Sequence, residues 1–226
     1  MVLALSRTPK KAAIPPSDAA TLIIVRFDGP SPRILMGQRH EAHVFMPNKY
    51  VFPGGRMEAS DKTMVVAREG LATTMQKLML KRVSRATARG LIIAAIRETF
   101  EETGLFVSCH DEQQAYDLSG LTYFARAITP PGRSRRFDSR FFVVDGRKVA
   151  NLDAPKLLDS PELLALNWVT LNEAEKLDLP TITRDILVLL APFLAQNKLP
   201  PADCPVTFHH KRGKAWVVDI LSHRKT

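Results

Sequence analysis

Arg97-Glu98-Thr99-Phe100-Glu101-Glu102-Thr103-Gly104-Leu105 is the stretch on which the reading of this sequence turns. As a helix it places Glu98 and Glu102 at i and i+4 on one face, with Glu101 beside them. Three carboxylates on one stripe repel one another unless positive charge lies between them. Hard divalent cations take carboxylate oxygens, and Mg2+ in particular pairs one or two carboxylates with substrate phosphates. The stripe therefore reads as a metal platform. The competing reading is a solvated acidic face in which Arg97 pairs with Glu101 four residues on. Two features weigh against it. The chain is basic, with 32 Lys and Arg against 23 Asp and Glu and a net charge of +9, so concentrated acid runs against its composition. Upstream, Phe52-Pro53-Gly54-Gly55 supplies backbone that can turn sharply and approach a ligand closely.

Working outward, Ser84 is placed to cap a helix that runs through Thr103, with Gly104 as its stop. Thr63 to Arg82 carries apolar residues at Met64, Ala67, Leu71, Met75, Leu78 and Met79, a helical spacing that Gly70 interrupts. Thr21–Phe27 is a strand that ends at Asp28-Gly29-Pro30, and Ile34–Arg39 is its hairpin partner. Lys49–Phe52, Leu105–Ser108, Leu121–Thr129, Phe137–Val144 and Leu163–Val169 read as further strands. Between the third and fourth of these lies a basic loop with Arg133, Arg135 and Arg136. Leu171–Leu177 and Thr181–Gln196 read as helices, the second bent or interrupted at Pro192. Val206–His210 and Ala215–Leu221 form a terminal hairpin. Strands and helices mix without regular βαβ alternation, so an α+β fold is expected.

The 226 residues suit one domain. The expected division is a flexible arm at 1–17 and a single domain at 18–226, with a helical insertion at about 62–89. A hydrophobic fraction of 45% and a charged fraction of 24% exclude disordered, collagenous and disulfide-scaffold classes. Cys109 and Cys204 lack metal-ligand spacing and read as free thiols in a reducing, cytoplasmic setting. No apolar run is long enough for a membrane span, and the basic start of the chain lacks the apolar core of a secretory signal. The charge balance favours an anionic ligand, either nucleic acid or a phosphorylated small molecule. His209, His210 and His223 read as surface residues of the terminal hairpin, with no carboxylate at usable spacing.

Gly55, Asp61 and the run Arg97–Leu105 together resemble the Nudix box, G-x5-E-x7-R-E-U-x-E-E-x-G-U. Phe100 takes the apolar U place, and Asp61 stands where the family has Glu. Between Asp61 and Arg97, 35 residues occupy the place of seven, so the box looks split by an inserted segment. The resemblance implies a Nudix-type α/β/α sandwich with a mixed sheet. It implies hydrolysis of a nucleoside diphosphate linked to another group, with Mg2+ or Mn2+. Carried over, Glu98, Glu101 and Glu102 are metal ligands, and Glu98 or Glu101 helps deprotonate the attacking water. Arg97 orients the carboxylates, and Gly54, Gly55 and Gly104 shape the loop–helix–loop. Asp61 either still pairs with Arg97 or is carried away by the insertion.

The stretch Gly37–Gly55 is similar to the peroxisomal acyl-CoA diphosphatase branch, which also carries an insertion within its box. In the stricter coenzyme A motif, Arg39 and Phe52-Pro53-Gly54-Gly55 fall in register. His40, Val44 and Asn48 depart from it. The implied substrate is a small nucleoside diphosphate derivative, CoA or acyl-CoA, with ADP-ribose or NADH as the alternative. Arg39, Arg133, Arg135 and Arg136 are the candidate substrate-binding residues. Lys77, Lys81, Arg82, Arg85 and Arg89 of the insertion are further candidates to grip a 3′-phosphate. The apolar residues of the insertion either line an acyl groove or pack on the domain, and packing is the expectation. A nucleic-acid-binding module that kept the fold and lost the chemistry is the alternative from another class. The sequence has no basic strand interleaved with aromatics, and its intact carboxylate set favours an enzyme.

Overall fold

The computed structural model describes residues 14–42, 46–80, 83–107, 109–110, 115–153, 163–213 and 215–221. In chain order the strands are β1 (Ser17–Arg26), β2 (Arg33–Arg39), β3 (Tyr50–Val51), β4 (Gly54–Arg56) and β5 (Val66–Arg68). Two helices follow, α1 (Ala72–Leu78) and α2 (Arg85–Thr103). Then come β6 (Cys109–His110), β7 (Ala115–Asp117), β8 (Thr122–Ile128), β9 (Phe137–Asp145) and β10 (Leu163–Val169). Helices α3 (Leu171–Ala174) and α4 (Thr181–Leu194) precede the terminal hairpin of β11 (Val206–Arg212) and β12 (Ala215–Leu221).

Nine strands form one mixed sheet in the order β10-β2-β1-β9-β8-β11-β12, with β3 on β2 and β4 on β1. Strand β1 runs parallel to β9, and β11 runs parallel to β8. The pleat sends alternate residues to opposite faces. Ala20, Leu22 and Ile24 of β1 join a core built with α1 and α2, while Ile23 and Val25 join one built with α4. Phe142 and Val144 of β9 divide from Phe141 and Val143 in the same way. The fold is α+β with a helix layer on each face of a mixed sheet, as expected.

The strands β1 and β2 pair only at Val25–Arg26 with Arg33–Ile34. Beyond that they part, and the segment Tyr50–Arg56 enters between them. Its first half pairs with β2 and its second with β1, at Ala19, Ala20 and Thr21. This places Gly54-Gly55 at the end of the sheet where β1 begins.

Four expectations change. Thr63–Arg82 is not one helix. Its first part is strand β5, whose Val66 pairs with Tyr116 of β7 in a separate three-stranded sheet with β6, and only Ala72–Leu78 is helical. Gly70 itself lies close against α2, where a Cβ would be 3.1 Å from Ile92 Cδ1. The insertion is thus strand plus helix, and its Lys81 and Arg82 lie outside the described residues. Leu105–Ser108 is not a strand. Only Val107 bridges, to Val149, because Gly104 and Phe106 are held instead by Asn151; Ser108 lies outside the described residues. Leu171–Leu177 shortens to Leu171–Ala174, closed at its start by the Thr170–Glu173 capping box. Ser17, assigned to the arm, already pairs with Phe137, and residues 1–13 of that arm lie outside the described residues. Pro192 falls inside α4 without ending it. The carbonyl its missing N–H leaves over belongs to Val188, on the exposed side of the helix.

The apolar residues of the insertion pack on the domain. Met75, Leu78 and Leu80 are buried in the same core as Leu91, Ile92 and Ile93 of α2. With the sheet on one side and the insertion on the other, the middle of α2 is buried nearly all round. That accounts for its seven consecutive buried residues, Gly90–Ile96, in place of a single apolar stripe. No helix among the described residues is long and apolar enough to cross a membrane.

Candidate active site

Helix α2 delivers the acidic run. Ser84 caps its start by accepting from Thr87 N–H at 3.1 Å. Gly104 ends it at φ +70°, donating its N–H to Phe100 O at 2.7 Å. Asn151 then clamps that end, donating to Gly104 O at 2.9 Å and accepting from Phe106 N–H at 2.8 Å. The last two turns of α2 are therefore fixed against the sheet at the level of β4.

Arg97 is the centre of the charged cluster. Its Nε and Nη2 donate to Asp61 at 2.9 and 3.1 Å, and its Nη1 to Glu98 at 3.1 Å and Glu101 at 2.9 Å. Nη2 also reaches Arg56 O at 3.0 Å, which ties the helix to the end of β4. Burial opposes the charge on Arg97, but its bonds to Asp61 and the fields of Glu98, Asp61 and Glu101 outweigh burial, so its pKa lies well above the usual arginine value. Asp61 is fully buried and also accepts from Glu58 N–H at 2.7 Å. The insertion does not carry it away, and its shorter side chain reaches Arg97.

The glycines make room for the carboxylates. Gly54 has φ +147°, and a Cβ there would lie 2.4 Å from Ala20 O and 2.6 Å from Thr21 Cα. Its N–H donates to Glu102 Oε2 at 2.8 Å. A Cβ on Gly55 would lie 2.4 Å from the carboxyl carbon of Glu98. Glu98 and Glu102 are thus seated directly on the glycine loop, and Glu101, half exposed, stands at the rim.

The donor chemistry fits a hard divalent cation. Asp61, Glu98 and Glu101 set three carboxylates around one guanidinium, Glu102 lies on the adjoining glycine loop, and every donor is oxygen. Among the described residues, no three His, Cys, Asp or Glu side chains stand together as a formed metal site. Arg97 draws Glu98 and Glu101 to itself, while Glu102 turns to the loop.

The arginines expected to bind substrate are spread along the same end of the sheet. Arg39 ends β2, and its main chain exchanges bonds with Lys49 and Asn48 at 2.9 and 3.0 Å. Arg133 and Arg135 are exposed on the β8–β9 loop. Arg136 is partly committed to the fold, donating to Thr129 O at 2.9 Å and Ile14 O at 2.6 Å. The described basic residues of the insertion are also committed. Lys77 donates to Ala202 O at 2.6 Å and to Cys204 O, and Arg85 and Arg89 pair with Glu69. Val44 and His223 lie outside the described residues.

One charged network escaped the sequence reading. Arg126 makes a two-pronged pair with Asp138, at 2.7 and 2.6 Å, and Arg140 reaches Asp18 at 2.6 Å. Phe208 lies under Arg126, His210 stacks on Phe208 at 4.4 Å, and His210 Nε2 meets Asp219 at 2.8 Å. The strand registers put these side chains on the α2 face of the sheet. Asp18 also accepts Met57 N–H at 3.0 Å through its main chain, which joins the network to the loop after β4. His209 and His210 are therefore not plain surface residues. His209 is buried 3.8 Å from Asp185 of α4, and both carboxylate partners come from pairings that linear spacing does not reveal.

Residues 90–190 match the NUDIX domain family. That match spans 101 of the 226 residues. The match begins inside α2, downstream of the insertion, and the fold brings Gly54, Gly55 and Asp61 back to it. The structure is similar to the NUDIX hydrolase of Alicyclobacillus acidocaldarius, with a TM-score of 0.61 and 24% identity over 84% of this chain and 100% of that one. A MutT NUDIX hydrolase of Burkholderia pseudomallei aligns with a TM-score of 0.49 and 16% identity, over 78% of this chain and 99% of that one. An Ap4A hydrolase from C. elegans, solved as a binary complex, aligns with a TM-score of 0.44 and 19% identity, over 79% of this chain and 98% of that one. No curated protein matches the chain in sequence. The family match over residues 90–190 supports an enzyme of the Nudix hydrolase type, and the likeness to the Alicyclobacillus acidocaldarius structure is one of fold.

Proposed function

We propose that this protein is a Nudix hydrolase that cleaves the diphosphate linkage of a nucleoside diphosphate derivative with Mg2+ or Mn2+, and that CoA or an acyl-CoA is its substrate. The observation that carries the reading is the seating of Glu98 and Glu102 on Gly54-Gly55. A carboxylate set and a side-chain-free loop meet at one point, where a phosphate chain can approach backbone. In this reading Glu98, Glu101 and Glu102 hold the cation. When bound, it neutralises the diphosphate and lowers the pKa of a water. Glu98 or Glu101 takes that water's proton, and Glu101 is the more open of the two. Arg97, locked by Asp61, keeps the two acids at fixed spacing, so positioning is built in before substrate arrives. The single domain at 18–226 and a reducing, cytoplasmic setting belong to the same proposal.

ADP-ribose or NADH is the second reading. It is favoured by His40 and Asn48, which depart from the coenzyme A motif beside Arg39. Incubation of the protein with CoA, dephospho-CoA, ADP-ribose and NADH plus Mg2+ or Mn2+, with products identified by mass, separates the two. Release of 3′,5′-ADP and a phosphopantetheine product from CoA at the highest kcat/KM supports the first reading. Faster cleavage of ADP-ribose replaces it with the second.

A further inference from the structure

Strand β12 is one outer edge of the nine-stranded sheet, and among the described residues nothing pairs with its outward main chain. Trp216, Val218 and Ile220 alternate along it and are 60%, 59% and 55% exposed. They lie opposite Lys211, His209 and Thr207 of β11. Because His209 faces Asp185 of α4, the three apolar side chains share the α4 face of the sheet. Helix α4 shares its core with β1, β2, β8 and β9 and leaves this end of the face uncovered. We propose that β12 docks a second copy of this chain, the two β12 strands pairing antiparallel about a two-fold axis at Val218.

The two edges of the sheet are built differently. At the opposite edge, the pairing of β10 with β2 shifts register between Leu164 and Asn167, and Ala165 there has φ +48°. A break of that kind bends a strand and blunts its edge against further pairing. Strand β12 has no such break. It pairs with β11 in one unbroken register from Ala215 to Leu221, so its outward N–H and C=O groups form a regular row. A regular edge that also carries exposed apolar side chains is a template for another strand.

The strand is complementary to itself, which is what an isologous contact requires. With the axis at Val218, that residue meets its own copy, Trp216 meets the partner's Ile220, and Val217 meets the partner's Asp219. The α4 face of the seam is then apolar from end to end. Asp219 is the one charged residue of β12, and it points to the other face, where His210 and Arg212 engage it at 2.8 and 3.4 Å. No like charges stand directly opposite each other, an arrangement that would disfavour pairing. Each copy carries a net charge of +9, so general repulsion opposes the contact and salt relieves it. Standard interfaces use roughly 20–30 residues a side, so a seam built on a strand of 7 residues gives a weak dimer, in about the micromolar range.

The test uses the full-length protein. In sedimentation velocity across the micromolar range, the mass should rise with concentration from that of the 25.2 kDa chain toward twice that value. Added salt should raise it further at a fixed concentration. Val218→Lys sets two ammonium groups opposite each other and should weaken the dimer by roughly tenfold or more. Its thermal melt should stay near the parent's, because Val218 is exposed in the single chain. Val218→Cys should give a covalent dimer under mild oxidation, above the background set by Cys109 and Cys204 in the parent. Trp216→Cys should not, because its two copies lie four residues apart along the seam, on the order of 13 Å, beyond the span of a disulfide. A monomer at every concentration overturns the proposal, whether the strip is then covered by residues 1–13 of the same chain or by a different protein. A dimer that Val218→Lys leaves intact also overturns it, because the interface then lies elsewhere. Equal cross-linking from positions 216 and 218 overturns the two-fold pairing.

Discussion

Asp61 and Arg97 stand 36 residues apart in the chain and meet through two hydrogen bonds of 2.9 and 3.1 Å. The insertion between them is therefore a closed excursion that returns the chain to the helix it left. Asp61 has no exposed surface, so it holds Arg97 without competition from water. Removing it by Asp61→Ala leaves a buried guanidinium short of its main partner and should cost about 3 kcal/mol in chemical denaturation. Asp61→Glu adds a methylene where there is no space and should still cost ~1–3 kcal/mol, although it restores the family's own residue. A glutamate variant as stable as the parent would show that the site has room to relax.

The two glycines of the loop should fail in different ways. A Cβ at Gly54 meets main-chain atoms of β1, which cannot move aside, and the backbone there has φ +147°. Gly54→Ala should therefore destabilise the fold by on the order of 2–4 kcal/mol. A Cβ at Gly55 meets only the end of the Glu98 side chain. Gly55→Ala should leave thermal stability near the parent's while displacing that carboxylate and lowering kcat/KM by roughly a hundredfold or more. Thermal melts and kinetics on the pair check both halves of the contrast.

Glu102→Gln keeps an oxygen acceptor for Gly54 N–H and removes one negative charge. The fold should survive, and if Glu102 holds the cation as proposed, turnover should drop by about two orders of magnitude or more. Near-parental turnover at saturating Mg2+ would remove Glu102 from the metal set.

His209 gives the protein a pH dependence of definite sign. Burial pushes its pKa down, and Asp185 pulls only partly the other way. The unfolded chain therefore takes up the proton more readily than the folded one. The stability contributed by neutral His209 is complete above the unfolded pKa of about 6.5, and it is lost as pH falls through that value toward the folded one. Urea midpoints measured across this range should fall on acidification in the parent and fall less in His209→Gln.

The insertion shows how far a sequence pattern carries. The Met75 and Leu78 spacing marks an apolar helical face, and the structure buries that face. The same pattern extended to Met64 and Leu71 suggests more helix than exists. Val66 takes a strand because Tyr116, 50 residues on, offers a main-chain partner, and no local periodicity encodes that partner. Because Met75, Leu78 and Leu80 complete the cover over α2, replacing residues 62–89 with a short linker should destabilise the domain as well as alter selectivity. Loss of cooperative unfolding in the shortened protein is the expected readout.

Local chemistry was legible in the residues themselves. Helix α2 with its Ser84 cap and Gly104 stop, the carboxylate stripe, the glycine pair, the strand–turn–strand units and the mixed α+β class all follow from residue type and short spacing, because propensity, capping and side-chain periodicity act over a few residues. Which distant groups meet is a matter of the assembled sheet. Asp61 returning to Arg97, the entry of Tyr50–Arg56 between β1 and β2, Asn151 on the helix end, and the line from Asp138 to His210 depend on sheet order and register. Those are set by burying both faces of β1 and β9 at once, a condition on the whole core that no single stretch of the chain contains.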